Sequence, residues 1–357
     1  MVVALPEIPR IEPTENSITA NLGIPGLVSE VRLEESVLLE CTAALDSKFC
    51  RPLADRGIAV DSTEYFDAAE VLEGVLPDSL RIGLASLRQG AVDALIVRGL
   101  PVDEEPGPTP GQPSRRDSPP PRAHALTAAV VRRLGYELAY SAEKGGAVVQ
   151  DVYPTREGAT SQSNASWQVD LQLHTENAFH PVRPDFIVLY CVRAPQDPPP
   201  STNLVLLDEV LPKLTDHEVA LLREPRYTVR VVESFRINGE PDMAVPISVL
   251  GGTNRRPTVR WHESLTALDE AARRAALVFA EEAAKATLHV RLGPGDLLAF
   301  ANDRCLHGRD KFDARCDGMD RWLLRAYAIR DSVAITRYIA PTRTRTVRLD
   351  IASTAGT

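Results

Sequence analysis

The sequence predicts an α+β protein whose core is a double-stranded β-helix, or jelly roll, buttressed by helices. Three observations favour this class. In the first hundred residues, apolar side chains recur at three- and four-residue intervals, which is the period of amphipathic helices. After Gly146, short apolar stretches rich in β-branched and aromatic residues follow one another. A long helical stretch lies among them, and short strands flanked by helices are typical of a double-sheet jelly roll with helical support.

The N-terminal part, residues 1–100, is predicted to be mainly helical. The stretches SVLLECTAALDSKFC and DSLRIGLASLRQG have the helical period. A short buried strand is predicted for ALIVRGLPVD, which begins at Ala94. Further along, residues 125–141, ALTAAVVRRLGYELAYS, predict a return to helix.

A stretch rich in proline and charge, DEEPGPTPGQPSRRDSPPPR, occupies residues 103–122. Proline lacks an amide hydrogen and fixes its own backbone, so this stretch is not expected to form a packed element. We interpret it as a long exposed loop within a single domain, residues 1–357, with the core at 125–335. A linker between two domains is the alternative.

The core is predicted from short strands and one inserted helix. The strands are AVVQDVYP, DFIVLYCVRAP, STNLVLLDEV, RYTVRVVESFRIN and, last, RWLLRAYAIR. The helix is TALDEAARRAALVFAEEAAKAT, residues 266–287. Between them, LHVRLGPGDLLAFANDRCLHGR predicts two strands around a Gly-Pro-Gly turn.

Composition excludes several classes of protein. The chain has 357 residues, of which 44% are hydrophobic and 25% charged, as in ordinary globular proteins. A net charge of −9 argues against a nucleic-acid partner, because phosphate binding needs clustered Lys and Arg. No run of 18 apolar residues predicts a membrane span. The five cysteines form no CxxC pair, so we expect reduced thiols in a cytoplasmic protein. The oligomeric state stays open.

Two polar residues, His174 and Glu176, stand among apolar residues in LHTENAFHPVRPDF. In a strand, residues two apart point to the same face. Metal ligation is one reason to place an imidazole and a carboxylate there, since a ferrous site with open positions takes two imidazoles and one carboxylate. Of the seven histidines, His307 is the best third ligand, because it follows an apolar strand and precedes a glycine. The alternative is a pair of hydrogen-bonded polar residues without a metal.

Two arginines, Arg321 and Arg325, share one face of the last predicted strand. Buried guanidinium groups are costly unless anions pair with them. A dicarboxylate cosubstrate and an amino-acid substrate would each supply a carboxylate, which arginine binds in a bidentate manner. A surface ion pair, or a salt bridge to Asp317 or Asp320, is the alternative for each arginine.

These residues lie in two stretches, HTENAFHPVRPDF and NDRCLHGRDKFDARCDGMDRWLLR. Both resemble the signature stretches of the clavaminate synthase-like iron(II)/2-oxoglutarate oxygenases, and they occur in the same order. Within that superfamily the chain is most similar to the free amino-acid hydroxylases that act on arginine, lysine and asparagine. The resemblance extends over residues 125–335 and more loosely over the N-terminal part. It implies Fe(II), 2-oxoglutarate and O2 as cofactors.

The resemblance also implies a role for each residue. His174, Glu176 and His307 would bind the iron. Arg321 would bind the distal carboxylate of 2-oxoglutarate, with Thr202 as a helper. The substrate contacts would be Arg325 and Asn164 to the carboxylate and Glu176 to the ammonium. Glu143, Glu263 or His262 would contact the far end of the side chain.

The stretch TVRWHES departs from the arginine hydroxylases, which carry two aspartates there. His262 and Ser264 stand in their place, so plain arginine is less favoured than a lysine-like, citrulline-like or cyclic guanidine amino acid. The resemblance implies hydroxylation at C3 or C4 of a free L-α-amino acid with a long polar or basic side chain, in natural-product biosynthesis. The alternatives are the same chemistry on a carrier-tethered amino acid, desaturation or cyclisation, and a binding or sensor protein.

Overall fold

The computed structural model of the protein describes residues 3–4, 28–111, 121–231, 235, 246–330 and 346–349. Within these ranges helices and strands are mixed as the predicted α+β class requires. No helix of the described ranges is long and apolar enough to cross a membrane. The α-helices are α1 (Glu35–Leu45), α2 (Arg51–Asp55), α3 (Thr63–Ala68), α4 (Asp78–Gln89), α5 (Pro121–Leu134), α6 (Leu207–Val210), α7 (Asp216–Arg223) and α8 (Glu270–Lys285).

The strands are short, as predicted for the part of the chain after Gly146. They are β1 (Val3–Ala4), β2 (Val28–Arg32), β3 (Ala94–Arg98), β4 (Tyr136–Tyr140), β5 (Val149–Val152), β6 (Leu171–His174), β7 (Phe186–Arg193), β8 (Ser201–Leu206), β9 (Tyr227–Thr228), β10 (Leu250–Gly252), β11 (Pro257–Val259), β12 (Thr266–Ala267), β13 (Leu288–Arg291), β14 (Leu297–Ala301), β15 (Cys305–Arg309), β16 (Trp322–Ile329) and β17 (Thr346–Leu349).

The largest sheet has eight strands, in the order β17-β4-β16-β7-β14-β3-β2, with β5 also paired to β16. Its central strands β7, β14 and β16 are buried along almost their whole length. A strand covered on both faces needs apolar residues at every position rather than at alternate ones. This is why these strands appear in the sequence as the continuous apolar runs FIVLYCVR, LLAFA and WLLRAYAI.

A second sheet of four strands has the order β13-β8-β15-β6. Its side chains share a core with those of the larger sheet. Leu204 and Cys305 from the smaller sheet lie in one cluster with Ile187, Phe300 and Leu323 from the larger one. The two sheets therefore pack face to face, and polar residues at this junction are enclosed between them.

Helices cover the other face of the larger sheet. Leu45 of α1, Leu84 of α4 and Val130 of α5 lie in one buried cluster with Val188 and Leu324 of the sheet. The N-terminal helical part thus packs on the same sheet that lines the interior junction.

Helix α5 is shorter than the predicted helix over residues 125–141, and that prediction is wrong at its end. The helix ends at Leu134, and Tyr136–Tyr140 form β4, which pairs with β16. Gly135 permits the change, because a Cβ there would lie 2.2 Å from the carbonyl oxygen of Ile329. The close approach of two backbones ended the helix, and the apolar period alone does not reveal it.

The Pro-rich stretch is partly described. Residues 103–111 have no regular secondary structure, as predicted, and residues 112–120 lie outside the described ranges. The predicted loop is too long at its end, because α5 already begins at Pro121. Asp103 explains this start, since its carboxylate accepts hydrogen bonds from the backbone N–H groups of Arg122 and Ala123, both at 3.0 Å.

The stretch around the Gly-Pro-Gly turn differs from the prediction of two strands. It forms three strands, and β13 and β14 on either side of the turn belong to different sheets. The turn therefore carries the chain across the core instead of closing a hairpin. In RYTVRVVESFRIN only Tyr227–Thr228 form a strand within the described residues. Residues 232–234, 236–245 and 331–335 of the predicted core lie outside them.

Candidate metal and substrate site

Three possible metal ligands meet beside the junction of β6 and β15. The ligand atoms of His174, Glu176 and His307 all lie within 4.8 Å of one another. His307 Nε2 is 3.4 Å from Glu176 Oε2, and the two imidazole centroids are 4.1 Å apart. Across the described ranges, this is the one group of three or more His, Cys, Asp or Glu residues spaced to hold a metal ion. Its donor set is that of a ferrous site with open positions.

Sheet pairing and one asparagine set the positions of these side chains. β6 and β15 are antiparallel, and His174 stands directly opposite His307. Glu176 lies in the turn after β6, so the prediction that it is on the strand is wrong. Asn302 holds it instead: Asn302 Oδ1 accepts from the N–H of Glu176 at 2.7 Å, and Asn302 Nδ2 donates to its carbonyl at 3.2 Å.

Hydrogen bonding and charge prepare two of these groups for ligation. His174 Nδ1 lies 2.8 Å from the carbonyl oxygen of Gln172, which can only accept, so Nδ1 carries the proton and Nε2 keeps its lone pair. Burial, and then His307, lower the pKa of His174 to about 4. Burial raises the pKa of Glu176, but Arg325 and His307 outweigh it and hold that pKa below its usual range. His174 is thus neutral and Glu176 ionised.

These side chains border a cavity of about 360 Å³. All nine residues predicted for the site line it: Glu143, Asn164, His174, Glu176, Thr202, His262, His307, Arg321 and Arg325. The fold therefore brings together positions that are spread over more than half of the chain.

Arg321 precedes β16 and is buried in the wall of the cavity. Its Nη2 donates to Thr202 Oγ1 at 3.2 Å, so the two residues predicted to act together are in contact. Burial lowers the pKa of Arg321. Within the residues that the structure describes, no carboxylate lies within ion-pair distance of this guanidinium group. A buried cation without an anion is costly, and the site is thus prepared for an anionic ligand.

Arg325 lies four residues further along, within β16, where it also lines the cavity. It is held by three side chains. Its Nη1 donates to Glu176 Oε1 at 3.1 Å, and its Nε and Nη2 donate to Gln150 Oε1 at 3.1 and 2.6 Å. Glu143 Oε1 lies 3.6 Å from Arg325 Nη2. Burial raises the pKa of Glu143, and Arg325 opposes that rise. Arg325 therefore links the metal triad to a second carboxyl group.

His262 and Glu263 form another part of the lining. Backbone and side-chain hydrogen bonds between Thr175 and Trp261 hold this segment against the residue that precedes Glu176. The rings of His262 and His174 have centroids 6.3 Å apart. Burial, and then His174, lower the pKa of His262 to about 3, and burial raises the pKa of Glu263.

Asn164 lies on the serine-rich loop 155–167, which is held by contacts from several directions. Trp167 Nε1 donates to the carbonyl of Thr155 at 3.0 Å. Arg309 Nη2 donates to Ser166 Oγ at 2.9 Å, and its Nη1 donates to the Ser166 carbonyl. Burial, and then Arg321, lower the pKa of Arg309 to about 10.

Sequence reasoning missed four residues of this site. Arg309 could have been found, because it follows His307 by two residues on a strand and so shares its face. Lys144, which lines the cavity beside Glu143, has no such signal. Gln150 and Asn302 are visible only in the structure, because each acts on a residue distant in sequence, Arg325 and Glu176 respectively.

Residues 116–327 match the model of a family described as taurine catabolism dioxygenase TauD, TfdA family. The chain is 36% identical to L-asparagine oxygenase of Streptomyces coelicolor, over 76% of this chain and 82% of that protein. It is 35% identical to L-lysine 3-hydroxylase of Catenulispora acidiphila, over 75% of this chain and 76% of that one. It is 31% identical to clavaminate synthase 2 of Streptomyces clavuligerus, over 79% of this chain and 91% of that protein.

Solved structures agree with this. An asparagine oxygenase in complex with Fe(II), 3-hydroxyasparagine and succinate superposes with a TM-score of 0.79 at 31% identity, over 90% of this chain and 99% of that one. The non-heme iron oxygenase OrfP in complex with iron, succinate and dihydroxy-L-Arg superposes with a TM-score of 0.78 at 25% identity, over 89% of this chain and 99% of that one. The predicted resemblance is confirmed: the chain belongs to the TauD, TfdA family of non-haem iron, 2-oxoglutarate-dependent oxygenases.

Proposed function

We propose that the protein hydroxylates a free L-α-amino acid with a polar or basic side chain, at C3 or C4, using Fe(II), 2-oxoglutarate and O2. The relatives support this class, since their names state action on asparagine and lysine, and OrfP is bound to a hydroxylated arginine. When bound, iron and 2-oxoglutarate would supply the oxidising power: one oxygen atom of O2 would enter the succinate formed as the keto acid loses carbon dioxide, and the other would enter a C–H bond of the amino acid.

The observation that carries the proposal is the pair of arginines on one wall of the cavity. Arg321 has no carboxylate partner among the described residues, whereas Arg325 is already beside Glu176 and Glu143. Arg321 is therefore free to form an ion pair with a carboxylate of a bound molecule, such as the distal carboxylate of 2-oxoglutarate. A zwitterion suits Arg325 and its carboxyl neighbours, because each charge of the zwitterion finds an opposite charge.

The residues of the triad fit an iron ion. Glu176 Oε2 is buried and has no hydrogen-bond partner, which is costly unless it has a ligand. His174 presents an unprotonated Nε2 because its Nδ1–H is bound by a carbonyl. We propose His174, Glu176 and His307 as the iron ligands.

The rest of the cavity would hold and orient the two organic molecules. Arg321 and Thr202 would bind the distal carboxylate of 2-oxoglutarate, and Arg325 the α-carboxylate of the amino acid. Because Glu143 lies 3.6 Å from Arg325, we place it at the ammonium end of the substrate together with Glu176. Gln150 fixes the direction of the Arg325 guanidinium group by accepting two of its hydrogen bonds. This positioning places the carbons next to the head group beside the iron.

We also propose the finer description of the fold. The two facing sheets are interpreted as the double-stranded β-helix predicted for the core. The whole chain is interpreted as one domain, supported by the burial of the N-terminal Leu45 and Leu84 against the larger sheet.

The reaction is tested by measuring succinate release from the iron-loaded protein with a panel of free amino acids. We expect one or more L-amino acids among asparagine, glutamine, citrulline, lysine, ornithine, arginine and a cyclic guanidine amino acid to raise the release above that with 2-oxoglutarate alone. The D-enantiomers serve as the matched control, and mass spectrometry of the product separates a hydroxylated from a desaturated or cyclised one. Turnover of a carrier-bound aminoacyl thioester, with none of the free amino acids active, would instead support the carrier-tethered alternative.

Glu143→Gln tests the placement of the head group. The change keeps the size of the side chain and removes its charge. We expect the Kd of every accepted amino acid to rise by roughly 10-fold or more, since a hydrogen bond to a charged group contributes about 1.5–3 kcal/mol. Calorimetry under anaerobic conditions measures this. An effect confined to lysine, ornithine and arginine would place Glu143 at the far end of the side chain instead.

A further inference from the structure

The hydrogen bonds of His262 determine which of its nitrogens carries the proton. The backbone N–H of Ser264 donates to His262 Nδ1 at 3.1 Å. A backbone N–H can only donate, so Nδ1 must offer a lone pair, and the neutral ring then carries its hydrogen on Nε2. Nε2 has no hydrogen-bond partner among the described residues, and His262 lines the cavity. The ring therefore offers a ligand one hydrogen-bond donor.

Glu263 does not supply the negative charge that the two replaced aspartates would supply. Its Oε2 lies 3.0 Å from the same Nδ1 of His262. Nδ1 has one lone pair, which faces the Ser264 amide, and the Ser264 hydroxyl lies 2.9 Å from the same nitrogen. The oxygen of an ionised carboxylate at 3.0 Å would be repelled by that lone pair. A protonated carboxyl group resolves the contact, in agreement with the raised pKa that burial gives Glu263. A neutral pair of side chains results.

Cations elsewhere in the lining work against a cationic side chain. Lys144 and Arg309 both line the cavity, in addition to Arg321 and Arg325. Within the described ranges, neither Lys144 nor Arg309 has a carboxylate at ion-pair distance. Glu143 and Glu176 also line the cavity, but both lie beside Arg325. A further positive charge near Lys144 and Arg309 would therefore be repelled, whereas a neutral group with a carbonyl oxygen would not.

We propose that His262 is a specificity-determining residue whose Nε2–H donates to a carbonyl oxygen at the end of the substrate side chain, so that the enzyme prefers neutral carboxamide or ureido amino acids to cationic ones. The iron triad, Arg321 and Arg325 are assigned to other groups, and the centroid of the His262 ring lies 6.3 Å from that of the His174 ring. This inference rests on the proposed function, and it narrows the substrate class.

The test compares binding and turnover of five free amino acids. Asparagine and glutamine represent carboxamides, citrulline represents a ureido group, and lysine and arginine represent cations. Affinity is measured by anaerobic calorimetry on the protein loaded with Mn(II) and 2-oxoglutarate, and turnover by succinate release with iron. For the unaltered protein we expect one or more of the neutral three to bind at least about 10-fold more tightly than both cations, the size of one hydrogen bond at a desolvated site.

Two variants of His262 and one control variant test whether His262 determines this preference. His262→Asp removes the donor and adds a charge, so the preference should shift by at least about 10-fold toward lysine and arginine. His262→Gln keeps an N–H donor, so the neutral substrate should stay preferred, and this variant serves also if His262→Asp fails to fold. His217→Asp adds the same charge at an exposed position on α7 outside the cavity lining and should leave the ranking unchanged.

The possible outcomes distinguish failure of the role assigned to His262 from failure of the proposed amino-acid hydroxylation. Preference for lysine or arginine by the unaltered protein, or an unchanged ranking in a folded His262→Asp variant, would overturn the role of His262 and leave amino-acid hydroxylation intact. Absence of binding and turnover with every free amino acid would overturn both.

Discussion

Replacing His174 by alanine is expected to abolish iron binding and turnover while the fold survives. The change removes one of three proposed ligands, and outer-shell changes alone already cost 10- to 100-fold in metal affinity or activity, so the loss should exceed about 100-fold. His174 is half-buried at the end of β6, next to the cavity rather than in the packed cluster between the sheets. Iron content after loading and succinate release measure the effect.

The control for this experiment is His217→Ala, which removes an exposed histidine on α7. Thermal unfolding of the metal-free proteins should be similar for both variants. Near-normal oxygenase activity in folded His174→Ala would reject the proposed triad, as would unchanged iron binding.

The second large effect is expected for Arg321→Ala. The apparent KM for 2-oxoglutarate should rise far more than that for the amino acid, because the distal carboxylate is left buried without its charged partner. Truncating one side of such a pair costs on the order of 2–5 kcal/mol, which corresponds to roughly 30- to 4,000-fold in affinity. Initial rates at varied 2-oxoglutarate, with the amino acid saturating, give the value.

Thr202→Val is the matched comparison, because it removes only the hydroxyl group that accepts from Arg321 Nη2. A neutral hydrogen bond contributes about 0.5–1.5 kcal/mol, so its effect on the KM for 2-oxoglutarate should be much smaller. If Arg321→Ala left the 2-oxoglutarate dependence unchanged and Arg309→Ala altered it, the anchor would be Arg309, which is also buried in the lining of the cavity.

The agreement between sequence and structure is best where a signal is local. His174 and Glu176 come together because they are only two positions apart, although Glu176 lies in the turn after β6 and not on the strand as predicted. The runs that form β7, β14 and β16 need only burial on both faces. The helix predicted over 266–287 also has a local explanation. It forms as α8 over Glu270–Lys285, where Asp269 caps the start by accepting from Ala272 N–H at 2.9 Å. The prediction is wrong at its start, because Thr266–Ala267 form β12.

Predictions failed where a partner distant in sequence decides the local structure. The helix over 125–141 ends early because Gly135 meets the backbone of Ile329. Residues 121–122 join α5 because Asp103 caps it from the other side of the Pro-rich stretch. The Gly-Pro-Gly turn connects two different sheets, because β13 pairs with β8, whereas β14 pairs with β3 and β7.

The sequence by itself determined the residue types and the local spacing of the site: an imidazole and a carboxylate two positions apart, and two arginines four apart. Tertiary structure alone decided that His307 stands opposite His174, that Asn302 holds the Glu176 backbone, and that Gln150 directs Arg325. The physical reason is that residues only two or four positions apart remain close in space, even though Glu176 lies in the turn after β6 and Arg321 lies just before β16. Contacts between strands depend instead on register, which pairing across the whole sheet establishes.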